Sequence, residues 1–238
     1  MLEFQKNAAI LFHQLVQLDR SQFFGSEDRN RWLPLFQQTD AMCMCPPFMG
    51  KNYKPGGLVI MAINPGGGNE KNDRRNLGDT LLYPKVHEFK NISQDMHIYY
   101  WDQVNPNFIK ATQTYPIYKN ISDVLASSQT SLDDICYFNF LPYRGRDNKY
   151  PSVDRDLSTI IPKCKNKFIE PLLAYLKPSL VVAFGIQVEK YIKSSWQDFP
   201  FETVTINRAR AGTEAVRESK EKAKARLESW AEDRPPVN

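Results

Sequence analysis

The chain has 238 residues, 42% hydrophobic and 24% charged, with 31 Lys and Arg against 27 Asp and Glu for a formal net charge of +4. That composition excludes disordered and fibrous classes and fits one compact globular domain. The longest apolar runs, LVIMAI (58–63) and LVVAFGI (180–186), fall far short of the roughly 20 residues a bilayer span requires, and the opening MLEFQKNAAILFHQLVQL lacks the unbroken apolar stretch of a secretory signal. The expectation is a cytoplasmic protein with no membrane partner.

In chain order, a helix is predicted over 3–20, then a strand over 57–63 (GLVIMAI). The interval 84–132 is polar and aromatic-rich, with Tyr99, Tyr100, Trp101, Phe108, Tyr115 and Tyr118, and is too long for a bare loop; one or two helices are expected there. A second strand follows over 134–141 (DICYFNFL), then a helix over 166–176 with Phe168, Leu172, Leu173 and Leu176 on one side. A third strand spans 179–185 and a fourth 201–206 (FETVTI). The last helix covers 213–231, starting at Thr213 after Gly212, with Val216, Ala223, Leu227 and Trp230 recurring at spacings of seven, four and three.

The first and third strands are nearly continuous apolar runs, the pattern of strands covered on both faces. The expected fold is therefore α/β, a three-layer α/β/α arrangement with a central four-stranded, mainly parallel sheet. It forms one domain over 1–238: an N-terminal helical segment (1–50), a core of about 57–212 and the C-terminal helix. Cys43, Cys45, Cys136 and Cys164 are expected as free thiols, because Cys43-Met44-Cys45 lacks the two-residue gap of a zinc knuckle.

Open parallel sheets bind ligands at the carboxyl ends of their strands. There the chain places Asn64-Pro65-Gly66-Gly67-Gly68, Asn139 with Arg144 and Arg146 beyond it, Gly185, and Asn207-Arg208-Ala209-Arg210. The glycine run taken alone reads as a tight turn; it has neither the phosphate-loop spacing nor the dinucleotide fingerprint. Each asparagine alone reads as a turn residue or a satisfied buried amide, and each arginine as a solvated surface charge. Their joint placement on one rim points to a site.

Four motifs in order, AINPGGG (62–68), YFNFLPYR (137–144), LKPSLVVAFG (176–185) and TINRARAG (205–212), resemble the uracil-DNA glycosylase superfamily, most closely its Asn-Pro-Gly branches, mismatch-specific and single-strand-selective. The resemblance covers about residues 57–212. The last motif departs most: Arg208-Ala209 stands where the family has Pro-Ser, and no His follows His97. Cys164 matches the last ligand of an iron-sulfur branch, but Cys43 and Cys45 are too closely spaced for such a cluster, and no cofactor is expected.

The resemblance implies a monofunctional glycosylase acting on duplex or single-stranded DNA as a monomer. Asn64 would hold the attacking water, and Asn207 with backbone N–H groups would stabilise the departing base, one good donor being worth ~3 kcal/mol. Asn139 would read the flipped base, Tyr83 would stack on it, and Ile63, Pro65, Gly66 and Gly67 would line the pocket. Arg144, Arg146, Arg208 and Arg210 would contact DNA. A carboxamide complements uracil in one orientation and cytosine in the other, and sequence leaves that orientation open. The side-chain-free glycines predict a roomy C5 side, suited to damaged or modified pyrimidines or to the glucosylated hydroxymethylcytosine of phage DNA. Two readings compete: a catalytically silent DNA-binding module on the same scaffold, and a small-nucleotide hydrolase or binder.

Overall fold

The computed structural model describes residues 2–19, 22–23, 44–63, 77–143, 154–196, 200–207 and 212–233. The chain folds as two compact units, each assembled from three separate stretches of sequence. The first comprises residues 1–48, 64–115 and 138–175, the second 49–63, 116–137 and 176–238.

Among the described residues five strands form one sheet: β1 (Phe48–Met49), β2 (Leu58–Ala62), β3 (Ile135–Asn139), β4 (Leu180–Phe184) and β5 (Glu202–Ile206), in the order β1-β3-β2-β4-β5. β2, β3, β4 and β5 fall inside the four predicted segments. All five residues of β2, β3 and β4 are buried, which is what their continuous apolar sequence requires. β5 is an edge strand whose residues are mostly part-exposed, so its alternating Thr and Val side chains suit it.

The sheet has five strands rather than four and is mixed rather than mainly parallel. β2 pairs in parallel with β4, and β4 with β5. Following β1, Gly50 N–H donates to the Ile135 carbonyl and Asn52 N–H to the Asp133 carbonyl, both at 2.8 Å; one segment ascends as the other descends, so this pairing is antiparallel. A two-residue strand after Pro46-Pro47 has no periodicity to read, and tertiary pairing alone creates it.

Within the second unit, α8 (Ile186–Ser195) follows β4 and α9 (Thr213–Glu232) follows β5. Alternation along β5 sends Thr205 and Glu202 to opposite faces. Thr205 hydrogen-bonds Glu189 of α8, whereas Glu202 accepts two bonds from Arg226 of α9 at 2.7 and 2.5 Å, so the two helices cover opposite faces of this edge. α9 buries Ser219, Ala223, Leu227 and Trp230, and the Trp230 indole N–H donates to the Ser179 hydroxyl at 2.8 Å. The helix starts at Thr213 as predicted, and Gly212 caps it in a positive-φ conformation (86°) that glycine adopts without penalty. α5 (Pro116–Leu125) completes the unit's helices and packs on α9.

The first unit is mainly helical. α1 (Glu3–Val16) is shorter than predicted. The interval expected to hold one or two helices belongs to more: α2 (Leu77–Asn91) is followed by a helical run in which α3 (Met96–Tyr99), a π-helical turn (Tyr100–Val104) and α4 (Asn105–Thr112) join, and α5 lies beyond. The turn places Tyr100 against Phe12 and Phe89, with centroids 5.3 and 5.7 Å apart, while its hydroxyl donates to the Pro47 carbonyl at 3.1 Å. α6 (Asp154–Cys164) passes through a second π-helical turn (Lys165–Ile169) into α7 (Glu170–Leu176), extending the predicted 166–176 helix toward the N-terminus. Phe168, Leu172, Leu173 and Leu176 are all buried, as their spacing predicts.

Candidate functional site

β3 carries its last residue, Asn139, into the interior of the first unit, where the side chain is 2% exposed. A buried amide must find partners. Asn139 Nδ2 lies 3.7 Å from Cys45 Sγ as donor, and that thiol in turn faces the Pro46 carbonyl at 3.9 Å. Cys45 is held in place from the backbone: its N–H donates to the Pro142 carbonyl at 2.8 Å, just beyond Asn139 in the chain.

Asp79 and Tyr83, four residues apart, share one face of α2, and both are buried. Tyr115, after α4, donates its hydroxyl hydrogen to Asp79 Oδ1 at 2.6 Å. Burial raises the Tyr115 phenol far above its ordinary range, and Tyr83, Asp79 and Cys45 add to the rise in that order. Tyr115 is therefore a permanent donor at neutral pH. Tyr115 thus senses the charges of Tyr83, Asp79 and Cys45, while the contacts themselves form two pairs, Tyr115 with Asp79 and Asn139 with Cys45.

The backbones approach closely here because of Gly78. A Cβ at that position would lie 2.5 Å from Thr114 Oγ1 and 2.8 Å from the Ala111 carbonyl oxygen, so only glycine lets α2 reach the end of α4.

In the second unit, the registers Ala62 to Phe184 and Phe184 to Ile206 put Ile63, Gly185 and Asn207 level with one another at the carboxyl ends of three adjacent parallel strands. Ile63 is buried. Gly185 N–H donates to the Ile206 carbonyl at 2.8 Å. Asn207 is tied to α9: its backbone N–H donates to Ser219 Oγ at 2.9 Å and its Nδ2 to the Ala215 carbonyl at 3.3 Å. Two strand-end carboxamides are thus fixed by their surroundings, Asn139 by a thiol and Asn207 by a helix.

Of the predicted site residues, Asn139 and Tyr83 are both buried, Asn139 against Cys45 and Tyr83 on α2, and Ile63 and Asn207 share the strand-end rim. Asn64, Pro65, Gly66, Gly67, Arg144, Arg146, Arg208 and Arg210 lie outside the described residues. Sequence reasoning missed Asp79, Tyr115 and Cys45. The four-residue spacing of Asp79 from Tyr83 is the signal that points to the first; nothing local points to Cys45, 94 residues from its partner.

The thiols of Cys136 and Cys164 are buried, and burial raises the pKa of each. Among the described residues no helix is long and apolar enough to cross a membrane. The chain matches no protein-family model, and comparison with curated proteins finds no significant match.

Proposed function

We propose that the chain is a monofunctional DNA glycosylase with a three-layer uracil-DNA glycosylase-like architecture, hydrolysing the N-glycosidic bond of an extruded modified or damaged pyrimidine. The observation that carries this reading is Asn139: a carboxamide at a strand end, buried and in contact with Cys45. A carboxamide supplies the donor and acceptor that a pyrimidine edge needs. The aligned ends of β2, β4 and β5 and the helices on both faces of β5 support the architecture.

In this mechanism the C1′–N1 bond breaks with its electron pair going to the base. The oxygen of a water held by Asn64 bonds to C1′, and the proton that water releases is taken up by the base. An amide is no general base, so the catalytic burden falls on stabilising the departing base, through backbone N–H groups and Asn207. The three glycines at 66–68 leave room at C5, which extends the substrate range to bulky 5-substituents such as glucosylated hydroxymethylcytosine and suggests a role in defence against phage.

Alkali cleavage of oligonucleotides carrying uracil, mismatched thymine, ethenocytosine or glucosylated hydroxymethylcytosine tests the proposal, with Asn64→Ala as the inactive control. Abasic sites from the native chain but not the variant are expected. Activity confined to uracil overturns the roomy pocket. No cleavage by either protein, with duplex binding retained, would make the chain a silent DNA-binding module instead.

A further inference from the structure

Three large apolar side chains stand exposed among the described residues, Leu2, Ile98 and Ile186, and of these Ile186 alone belongs to the second unit. A single exposed apolar side chain needs no explanation by itself; its place does. Ile186 is the first residue of α8, directly after Gly185, and so stands at the strand-end rim that Ile63, Gly185 and Asn207 share. It is 54% exposed there, whereas Val188 and Ile192 of the same helix are buried. The backbone beneath it is fixed. Gly185 holds φ at 105°, its N–H donates to the Ile206 carbonyl at 2.8 Å, and its own carbonyl accepts from the Val188 N–H at 3.0 Å. The entry to α8 is thereby tied to the end of β5, the strand that Asn207 follows. Nothing local asks for isoleucine at this point. The first turn of a helix favours acidic or small polar side chains, and a β-branched residue is a modest helix former that leaves apolar surface in water here. Such departures from local preference concentrate at functional sites.

We infer, resting on the glycosylase reading, that Ile186 is a wedge that enters the base stack of duplex DNA and fills the space an extruded nucleotide leaves. Extrusion costs the stacking of the departing base, and an aliphatic side chain slid between the neighbouring bases recovers part of that cost by leaving water for two apolar ring faces. The rim supplies what insertion needs: an apolar side chain in solvent before binding, and a backbone held at Gly185 so that the side chain does not retreat as the bases close on it. It lies at the same ends of adjacent strands as Asn207, the carboxamide proposed to meet the departing base.

The native chain, Ile186→Ala and Ile186→Leu are to be compared in two measurements: release of modified pyrimidine from duplex and from single-stranded oligonucleotides, and the fluorescence of a 2-aminopurine placed beside the target in the duplex, which rises as its stacking is lost. Because the side chain is exposed, both variants should unfold at the native urea midpoint. Alanine should release base from duplex about tenfold more slowly, the order that burial of an aliphatic side chain supplies, and from single strands at the native rate, since a strand without a partner leaves no gap in a helix to fill. Leucine should restore the duplex rate, and the fluorescence rise on duplex binding should appear with the native chain and leucine but shrink with alanine. An alanine variant as fast as the native chain on duplex, or slowed equally on both substrates, overturns the inference. If the native chain releases no base from any oligonucleotide, the glycosylase reading fails, and the fluorescence alone then decides whether Ile186 inserts: a rise that alanine loses supports it, and no difference between alanine and the native chain sinks it.

Discussion

The Tyr115 hydroxyl donates to the buried Asp79 carboxylate at 2.6 Å, across 36 residues of chain, and this bond joins α2 to the end of α4. Removing the donor leaves a buried charge short of one partner. Tyr115→Phe should therefore cost about 1–3 kcal/mol in urea unfolding at neutral pH. The phenol's folded pKa is raised above its ordinary 10.0, first by burial, so below pH 10 both folded and unfolded states hold the proton and the contribution is complete. As pH climbs past 10 the unfolded state ionises first and stability falls. The native-minus-variant difference should shrink over that alkaline range, and a difference independent of pH would contradict the assignment.

Gly78→Ala should destabilise the chain although alanine is the better helix former by about 1 kcal/mol. The new methyl group meets the Ala111 carbonyl oxygen at 2.8 Å, and backbone cannot step aside as a side-chain tip can. A net loss of about 1–3 kcal/mol is expected, read by thermal unfolding, together with a weakened alkaline signature of Tyr115 because its partner Asp79 is the next residue.

These two contacts show where sequence reading succeeds and stops. β2 and β4 announce themselves because a strand buried on both faces must be apolar throughout, and α9 because burying one face imposes a period on Ala223, Leu227 and Trp230. β1 carries no such pattern; two residues become a strand only because β3 accepts them. Asn139 is legible as a polar residue at the end of an apolar run. Asp79 is legible only through its four-residue spacing from Tyr83, and its pairing with Tyr115 comes from an approach that the missing side chain of Gly78 permits; Cys45 carries no local signal at all. The helical character of 84–132 follows from its length and composition, but the π-helical turn that aims Tyr100 depends on packing against Phe12 and Phe89.

Glu202 is held below its usual carboxylate range, first by its hydrogen bonds from Arg226. A depressed folded pKa gives stability that is present above the unfolded value of 4.5 and lost as pH falls through the folded one. Arg226→Ala should remove that acid-limb dependence. Because the pair is substantially exposed, the cost at pH 7 should stay within about 1 kcal/mol and diminish in high salt.

Cys136 and Cys164 should resist alkylation in the folded protein. Burial is the leading cause of both raised thiol pKa values, and the thiolate is the reactive species. Mass spectrometry after a pulse of iodoacetamide should find both unlabelled in buffer and labelled in denaturant. Rapid labelling in buffer would show that the strand and helix they occupy open locally.

Asn207 has a structural duty that any test of its chemistry must separate out. Its Nδ2 bond to the Ala215 carbonyl is long at 3.3 Å, while its backbone N–H makes the shorter bond to Ser219 Oγ, which also donates to the Val216 carbonyl at 2.9 Å. Asn207→Ala should thus cost only about 0.5–1.5 kcal/mol of stability, because the backbone bond survives. Ser219→Ala removes the acceptor of that backbone bond and leaves the carboxamide intact. If Asn207 stabilises a departing base, Asn207→Ala should slow base release by about 100-fold, the loss expected for one preorganised donor, whereas Ser219→Ala, at similar or greater cost in stability, should retain most of the rate. Equal loss in both variants would assign the asparagine to holding the start of α9 and remove it from the chemistry.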